Sequence, residues 1–457
     1  MKIIIVGCGK VGRTITEQLS KENHDVTVID KDSTAIHDVT NNYDVMGVVG
    51  DGVSYSVLKE AGVDEADLLV AVTTSDELNL LCCLFAKKAG NCSTIARVRN
   101  PLYSKEAEFI KEELGLSMII NPEYAAATEI ARIMRFPSAI EIDTFAKGQV
   151  ELMKFIISDD SILSDMSIVQ LSKKLKSEVL VCAIERNSEV IIPNGSVVLK
   201  KGDILSIIAS PTHARDFFRE IGVETHQVKN TIIVGGGTIA YYLAKQLINM
   251  GISVKIIEQD YSRCEHLSEL LPQAVIINGD ATNQDILYEE GISHTESFVS
   301  LTGIDEGNIF LSLFAKQASK SNAKIITKIN RISFDEIINN FHLGSLIYPK
   351  FITAEYILQY VRAMQNAMQN SVGSNVETLY RIIEGKVEAL EFHVDSSSSI
   401  TDKPLEQLPL KKNILIACIN RNGQTIMPNG SSTIQVGDRV IVITTENGLR
   451  NIENIIK

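Results

Sequence analysis

The chain has 457 residues, 45% of them hydrophobic, and a formal net charge of −13. This length predicts two to four domains with sizeable cores. The acidic balance argues against a nucleic-acid-binding protein, because phosphate contacts need a basic face. No apolar run approaches the roughly 20 residues of a membrane-spanning helix, and no secretory signal is visible. We therefore expect a cytosolic chain without direct membrane insertion.

Cysteines and histidines indicate neither a disulfide framework nor a metal site. The seven cysteines are odd in number and form no CxxC pair, and the eight histidines show no HxxxH or HExxH spacing. We predict small buried thiols and no metal ligands.

The first element in chain order is a strand-like run, KIIIV, followed by the turn GCGKVG and a helical pattern. The turn fits GxGxxG, in which Gly7 permits the tight turn, Gly9 lets a phosphate approach and Gly12 lets the helix pack closely. A pyrophosphate would meet free amides at the positive end of the helix. The predicted phosphate-binding turn consists of Gly7, Cys8, Gly9, Lys10, Val11 and Gly12.

An acidic residue, Asp30, ends the next predicted strand, DVTVID. A carboxylate at this place accepts hydrogen bonds from both ribose hydroxyls and repels a 2′-phosphate. The first pocket is therefore expected to take NAD(H), ATP or ADP in preference to NADP.

The same pattern returns in the second half as IIVGGGTIA and VKIIE, with Ala240 in the place of Gly12. Since GxGxxA is a variant of the fingerprint, a second pocket is predicted from Gly235, Gly236, Gly237, Thr238 and Glu258. The first turn carries Lys10 and Arg13, whereas the second has Thr238 and Tyr241 at those positions and no basic residue. Either the first pocket prefers a more highly charged ligand, or Lys10 points to solvent.

Further polar residues fall where predicted strands end, the edge at which doubly wound sheets bind ligands. They are Asp51, Thr73, Thr74 and Arg97 in the first half, and Asp280, Thr302 and Lys328 in the second. The two aspartates either contact the nucleoside or cap the following helix, and Arg97 and Lys328 are placed to reach phosphates. Asp76 and Asp305 begin helices and are expected to complement the helix dipole.

The repeat also defines the domains, which follow the order A, B, A, B. Unit A alternates continuous apolar strands with amphipathic helices, the pattern of an α/β doubly wound, Rossmann-like parallel sheet. Unit B contains short strands and turns, as in IERNSEVIIPNG and INRNGQTIMPNG, and predicts a small α+β domain. The predicted boundaries are 1–120 and 228–348 for unit A, 139–224 and 371–457 for unit B, and connecting helices at 121–138 and 349–370.

The order A-B-A-B, with GCGKVG, VID, ARVRN, NPEYAAATEIARI and the duplicated IPNG and GD blocks, resembles the TrkA family over nearly the whole chain. Members of that family are regulatory subunits of Trk-type potassium uptake systems. Unit A is similar to the RCK_N domain and unit B to the RCK_C domain.

The resemblance implies an assembly and a mechanism that spacing does not show. RCK domains pair through the connecting helix, and four chains would form a homo-tetrameric ring beneath a TrkH-like membrane transporter, peripheral on the inner face of the membrane. NAD(H), ATP or ADP in the clefts would change the shape of the ring and gate potassium flux. The ligand of the RCK_C domains stays open.

Two other classes of function compete with such a sensor. An NAD-dependent oxidoreductase would share the first 120 residues, but it needs a general acid or base in a substrate domain, and a small strand-rich unit follows instead. An adaptor with decayed pockets is the third class, and the intact first turn and Asp30 argue against it. We therefore expect a non-enzymatic protein with no catalytic residues.

Overall fold

The computed structural model describes the chain except at residues 91, 136–140, 146–149, 159–160, 187–188, 224–226, 320–322, 332–342, 370–375, 383–386, 423, 447–448, 450 and 457. The chain divides into two compact units, each assembled from both halves of the sequence. The parallel unit comprises Met1–Ala131 and Lys229–Leu358, and the antiparallel unit comprises Arg132–Val228 and Gln359–Lys457. Each repeat is thus grouped with its counterpart from the other half.

The first half of the parallel unit is a six-stranded parallel sheet. Its strands are β1 (Lys2–Val6), β2 (Asp25–Asp30), β3 (Met46–Val49), β4 (Leu68–Ala71), β5 (Ser93–Arg97) and β6 (Met118–Ile120). Its helices are α1 (Lys10–Lys21), α2 (Ser33–Asn42), α3 (Tyr55–Glu60), α4 (Asp76–Gly90), α5 (Pro101–Lys105), α6 (Ala107–Leu114) and α7 (Pro122–Arg135). The sheet order β3-β2-β1-β4-β5-β6 reverses between β1 and β4, which is where such sheets bind ligands.

The first half of the antiparallel unit is a five-stranded sheet in the order β10-β9-β11-β8-β7. Its strands are β7 (Glu141–Phe145), β8 (Val150–Ile156), β9 (Leu180–Arg186), β10 (Glu189–Ile191) and β11 (Ile204–Ala209). Two helices accompany the sheet, α8 (Ile168–Lys174) and α9 (Pro211–Glu220).

The second half repeats both architectures. A parallel sheet in the order β14-β13-β12-β15-β16-β17 consists of β12 (Asn230–Val234), β13 (Ser253–Glu258), β14 (Val275–Asn278), β15 (Ser297–Ser300), β16 (Lys324–Lys328) and β17 (Ser345–Ile347). Its helices are α10 (Thr238–Asn249), α11 (Tyr261–Leu270), α12 (Gln284–Glu289), α13 (Asp305–Ala318) and α14 (Pro349–Gln369). The second antiparallel sheet, β18-β19-β22-β20-β21, consists of β18 (Val376–Ile382), β19 (Val387–His393), β20 (Ile414–Arg421), β21 (Gln424–Ile426) and β22 (Arg439–Thr444).

The predicted α/β fold class is confirmed, and its physical basis is the burial of the apolar runs. Ile3, Ile4, Ile5 and Val6 of β1 are all buried, as parallel strands covered on both faces require. Sequence analysis did not identify the short edge strands β6, β7, β17 and β18. The last residues of the predicted connecting helices, 136–138 and 370, lie outside the described residues.

The seven cysteines are all buried and free. Over the described residues, the helices lack the combination of length and apolarity that crossing a bilayer requires.

Candidate functional site

The first glycine turn joins β1 to α1 in a conformation that its residue types dictate. Gly7 has φ +108°, and a β-carbon there would lie 3.1 Å from the backbone of Val72 and Thr73. A β-carbon on Gly12 would lie 1.8 Å from the carbonyl oxygen of Gly7. Around Gly9, by contrast, a β-carbon would meet nothing within 4 Å. The turn is therefore closely packed on the protein side and open where a phosphate would approach.

Asp30 stands at the end of β2 and is held by the turn itself. Its Oδ2 accepts a hydrogen bond from the Cys8 amide at 2.5 Å, and its Oδ1 accepts one from the Asp32 amide at 2.9 Å. Each carboxylate oxygen can accept more than one hydrogen bond. The carboxylate is thus fixed in position and retains acceptor capacity for two ribose hydroxyls.

The turn and Asp30 line a cavity of about 830 Å³, here called the first cavity. It has the size of a cofactor site. The structure brings together almost all the residues predicted for the first site, and only Gly12 packs behind the turn. The predicted residues that line the cavity are Gly7, Cys8, Gly9, Lys10, Val11, Asp30, Asp51, Thr73, Thr74 and Arg97.

The second repeat completes the wall of the first cavity. Gly237, Thr238, Ile239 and Ala240 at the start of α10 line it, together with Leu301, Lys328, Asn330, Pro349 and Lys350. The N-termini of α1 and α10 both border this space, and helix N-termini attract anions. Sequence analysis assigned Gly237, Thr238 and Lys328 to the second site alone, because the relative placement of the repeats is a tertiary property.

The two repeats are held in this arrangement by contacts between α10 and the segment leading into α7. The Tyr242 hydroxyl donates to the carbonyl oxygen of Arg99 at 3.1 Å and accepts from the side-chain amide of Asn121 at 3.0 Å. The rings of Tyr124 and Tyr242 meet edge to face at 5.5 Å. The connecting helix α7 therefore packs against the other repeat of the same chain.

A second cavity, of about 420 Å³, lies at the second glycine turn. Of the residues predicted for the second site, Gly236 and Thr238 do not line this cavity. Those that do are Gly235, Gly237, Glu258, Asp280, Thr302 and Lys328. Glu258 is held as Asp30 is, because its Oε2 accepts from the Gly236 amide at 2.6 Å and its Oε1 from the Asp260 amide at 2.9 Å. Lys328 borders both cavities.

The second turn has no basic residue of its own, but an arginine from a later helix lies beside it. Arg263, on α11, donates from Nε to the carbonyl oxygen of Gly236 at 2.6 Å. In the first repeat Arg13 does the same from α1, donating to the Cys8 carbonyl at 3.1 Å. The two arginines reach equivalent oxygens from different helices, so an alignment of the turns alone does not reveal the match. Lys10, at the start of α1, is exposed and borders the first cavity.

Asp51 and Asp280 do not cap the helices that follow them. The N-cap residues are Ser54 for α3 and Asn283 for α12. Asp51 lies 2.9 Å from the Lys31 ammonium, and this hydrogen bond holds the pKa of Asp51 below its usual value. The pKa of Asp280 is also low, mainly because the Thr282 amide and hydroxyl donate to it. Both carboxylates therefore border their cavities as anions.

Two buried asparagines that were not predicted from the sequence join the ends of the fourth and fifth strands beside the cavities. Oδ1 of Asn79 accepts from the Thr73 amide at 2.8 Å and from its hydroxyl at 2.7 Å, and the Asn79 amide donates to the Arg97 carbonyl at 2.9 Å. Asn308 makes the equivalent bonds to Thr302 and Lys328. The signal was present, because AVTTSDELN and SLTGIDEGN retain this asparagine in both repeats.

Asp76 and Asp305 do more than complement a helix dipole. Asp76 accepts from the amides of Arg99 and Asn100 at 2.8 and 2.7 Å. Asp305 accepts from the amides of Asn330 and Arg331 at 3.0 and 2.7 Å. Both carboxylates are buried, and each fixes the loop after the fifth strand, whose residues border the first cavity.

The comparisons with known proteins follow the same division of the chain. The TrkA-N domain model matches residues 3–122 and 231–349, and the TrkA-C domain model matches residues 152–222 and 389–457. The Trk system potassium uptake protein TrkA homolog 1 of Methanosarcina mazei is 32% identical, over 100% of both chains. The Trk system potassium uptake protein TrkA of Haemophilus influenzae is 31% identical, over 100% of this chain and 98% of its own.

Among solved structures, the GsuK channel bound to NAD is similar in fold. Its TM-score is 0.64 at 16% identity, and the match covers 97% of this chain and 77% of the channel chain.

Proposed function

The chain belongs to the TrkA family of Trk system potassium uptake proteins, and from this premise we propose that it is a nucleotide-sensing regulatory subunit of a membrane potassium transporter. The observation that carries the proposal is the first cavity, where a phosphate-binding turn and a fixed carboxylate face one space. In this proposal Asp30 binds the ribose of NAD(H), ATP or ADP, and the turn binds the phosphates.

The side chains around the cavities favour a protein that binds a nucleotide without reacting it over an enzyme that turns it over. Histidine, lysine and tyrosine commonly act as acid or base beside a nicotinamide, and among the described residues only lysines of this set line the two cavities. The cations at the first cavity instead suit phosphate oxygens. A non-catalytic sensor therefore accounts for the site better than an oxidoreductase does.

Occupancy would be communicated through α7. This helix begins at Pro122 and Glu123, which line the first cavity, and ends at Arg135, which belongs to the antiparallel unit and pairs there with the buried Glu151 carboxylate. A ligand shifts a conformational equilibrium only by its difference in affinity for the two states. A ligand that binds one state ten times more tightly than the other stabilises that state by about 1.4 kcal/mol per site. The contributions of several sites in one assembly would add.

The proposed partner is a TrkH-like transporter, with the chain on the cytoplasmic side of the membrane as a homo-tetrameric ring. Leu81 on α4 and Phe310 on α13 occupy equivalent positions in the two repeats and are 42% and 71% exposed. Burying such side chains is favourable, so these faces are suited to contacts between copies.

The test is calorimetric titration of NAD, NADH, ATP and ADP into the wild type, Asp30→Ala and Glu258→Ala. A charged hydrogen bond is worth about 1.5–3 kcal/mol, so Asp30→Ala should weaken binding at the first cavity at least tenfold. Asp25→Ala, at the exposed opposite end of β2, is the matched control and should bind normally.

Transport in the presence of the transporter tests the regulatory role. The wild type should confer nucleotide-dependent potassium uptake, and Asp30→Ala should not. Unchanged binding and unchanged stimulation in Asp30→Ala would refute the proposal, and turnover of a hydroxy acid with NAD would favour the oxidoreductase.

A further inference from the structure

Arg97 and Glu123 form an incompletely satisfied ion pair in the wall of the first cavity. Their side chains are 13% and 19% exposed, and Nη2 of Arg97 lies 3.6 Å from Oε1 of Glu123. Within the described part of the chain, Nε of Arg97 and Oε2 of Glu123 are buried without a hydrogen-bond partner. A buried donor left unpaired is costly, so the guanidinium retains an unused capacity for an anion.

The internal repeat shows that the acid of this pair is specific to the first half. Arg97 corresponds to Lys328, and Glu123 in NPEYAAATEIA corresponds to Lys350 in YPKFITAEYIL. The first half therefore has opposite charges at these two positions, and the second half has two positive charges. Since Lys328 and Lys350 also line the first cavity, Glu123 shares this cavity with cations of both repeats.

We propose that Glu123 is an internal counter-anion for Arg97 in the empty cavity. When a nucleotide binds, one of its phosphates takes over Arg97, and Glu123 takes up a proton. The inference rests on the proposed nucleotide site and adds to it a residue that sets its affinity and its dependence on pH. The proton comes from solvent.

The direction of the effect follows from the surroundings of the pair. Burial raises the pKa of Glu123 and Arg97 lowers it, while burial lowers the pKa of Arg97 and Glu123 raises it. A phosphate that pairs with Arg97 withdraws the positive charge that stabilises the Glu123 carboxylate and adds negative charge beside it. The pKa of Glu123 therefore rises further. Arg97, Arg99, Asp76 and Lys328 interact electrostatically with Glu123, and Lys10 and Lys350 line the same cavity.

Linkage then requires the nucleotide to bind more tightly as the pH falls through the range in which Glu123 titrates. Replacing Glu123 with glutamine removes both the competing charge and the titrating group. Binding to Glu123→Gln should be about three- to tenfold tighter near neutral pH, and its pH dependence should be flatter, because one unit of pKa corresponds to a tenfold change.

The experiment is titration of ATP, and separately of NAD, into the full chain by calorimetry in buffers of different ionisation enthalpy. The difference in proton uptake between the wild type and Glu123→Gln isolates Glu123, because the ionisation of the ligand itself is common to both. Glu108→Gln, at a side chain that is 84% exposed, is the control and should match the wild type. Glu123→Asp keeps a carboxylate and should retain the proton uptake.

Each outcome bears on the proposal. Greater proton uptake in the wild type and in Glu123→Asp than in Glu123→Gln, with tighter binding to the glutamine variant, supports it. Equal affinity and equal proton uptake in a normally folded Glu123→Gln protein overturn it, while nucleotide binding that still depends on Asp30 leaves the proposed function standing. Absence of nucleotide binding by the wild type would overturn both.

Discussion

A β-carbon on Gly236 would lie 3.1 Å from Cγ of Glu258 and 2.6 Å from Cδ1 of Leu267, so the second turn is closely packed where the first carries a cysteine. In the first repeat the shorter Asp30 leaves room for the side chain of Cys8, and its carboxylate still receives the turn amide at 2.5 Å. The corresponding bond to Glu258 is 2.6 Å. Each acid is therefore held by an amide of its own turn, and at the second turn Leu267 and Glu258 together leave no room for a side chain.

Exchanging the acids without the turns should disturb both sites. Asp30→Glu should crowd Cys8 and weaken nucleotide binding, and Asp30→Glu combined with Cys8→Gly should restore it. Gly236→Ala should lower the free energy of unfolding by about 1–3 kcal/mol through overpacking, whereas Cys8→Ala, which adds no atoms, should cost less. Calorimetry measures the binding and denaturant unfolding measures the stability. Full nucleotide binding by Asp30→Glu alone would contradict the expected crowding of Cys8.

Asn79 is expected to stabilise the wall of the first cavity around Thr73 and Arg97. Asn79→Ala leaves the Thr73 amide and the Arg97 carbonyl without their partner. Unpaired buried polar groups cost about 1–3 kcal/mol each, so the free energy of unfolding should fall by about 2–4 kcal/mol. Asn42→Ala, on the exposed face of α2, is the control, and an equal loss in both variants would argue against the role.

Tyr242 is expected to couple the two repeats of the parallel unit. Tyr242→Phe keeps the ring contact with Tyr124 but removes the hydrogen bonds to Arg99 and Asn121. A typical hydrogen bond contributes about 0.5–1.5 kcal/mol, so the variant should unfold at a lower temperature. Tyr241→Phe, at an equally buried neighbouring ring, is the matched control in thermal unfolding. A Tm shift confined to Tyr241→Phe would refute the assignment.

The antiparallel unit should lose stability in acid through Asp203. Burial raises the pKa of this carboxylate, but the two hydrogen bonds from Arg186 and the Lys200 amide outweigh it, so the pKa lies below its usual value. A lowered folded-state pKa gives stability that is present above the unfolded pKa of about 3.9 and is lost as the pH falls through the folded value. The free energy of unfolding of Asp203→Asn should accordingly be lower at neutral pH and depend less on pH below about 4.

The control for this prediction is Asp216→Asn, whose carboxylate is 42% exposed in its pair with Arg219. Its unfolding should follow the wild-type pH dependence. An unchanged acid profile in Asp203→Asn would show that other carboxylates govern acid unfolding.

Local residue patterns were enough to predict the fold class, the tandem duplication and most of the residues that line the first cavity. Continuous apolar strands fix the parallel sheets, because such strands must be buried on both faces. Gly7, Gly12 and Asp30 could be assigned from local spacing, since the turn, the first helix and the end of β2 lie within thirty residues of one another.

The contribution of the second repeat to the first cavity could not be predicted from the sequence, because it depends on how the two repeats pack. Lys328 and Lys350 reach the first cavity because α10 packs against the segment around Asn121, a contact between residues 121 positions apart in the chain. Arg263 takes the place of Arg13 from another helix because α11 packs beside the second turn within the same repeat. Packing of distant surfaces depends on the complementarity of whole faces, which no local pattern of residues encodes.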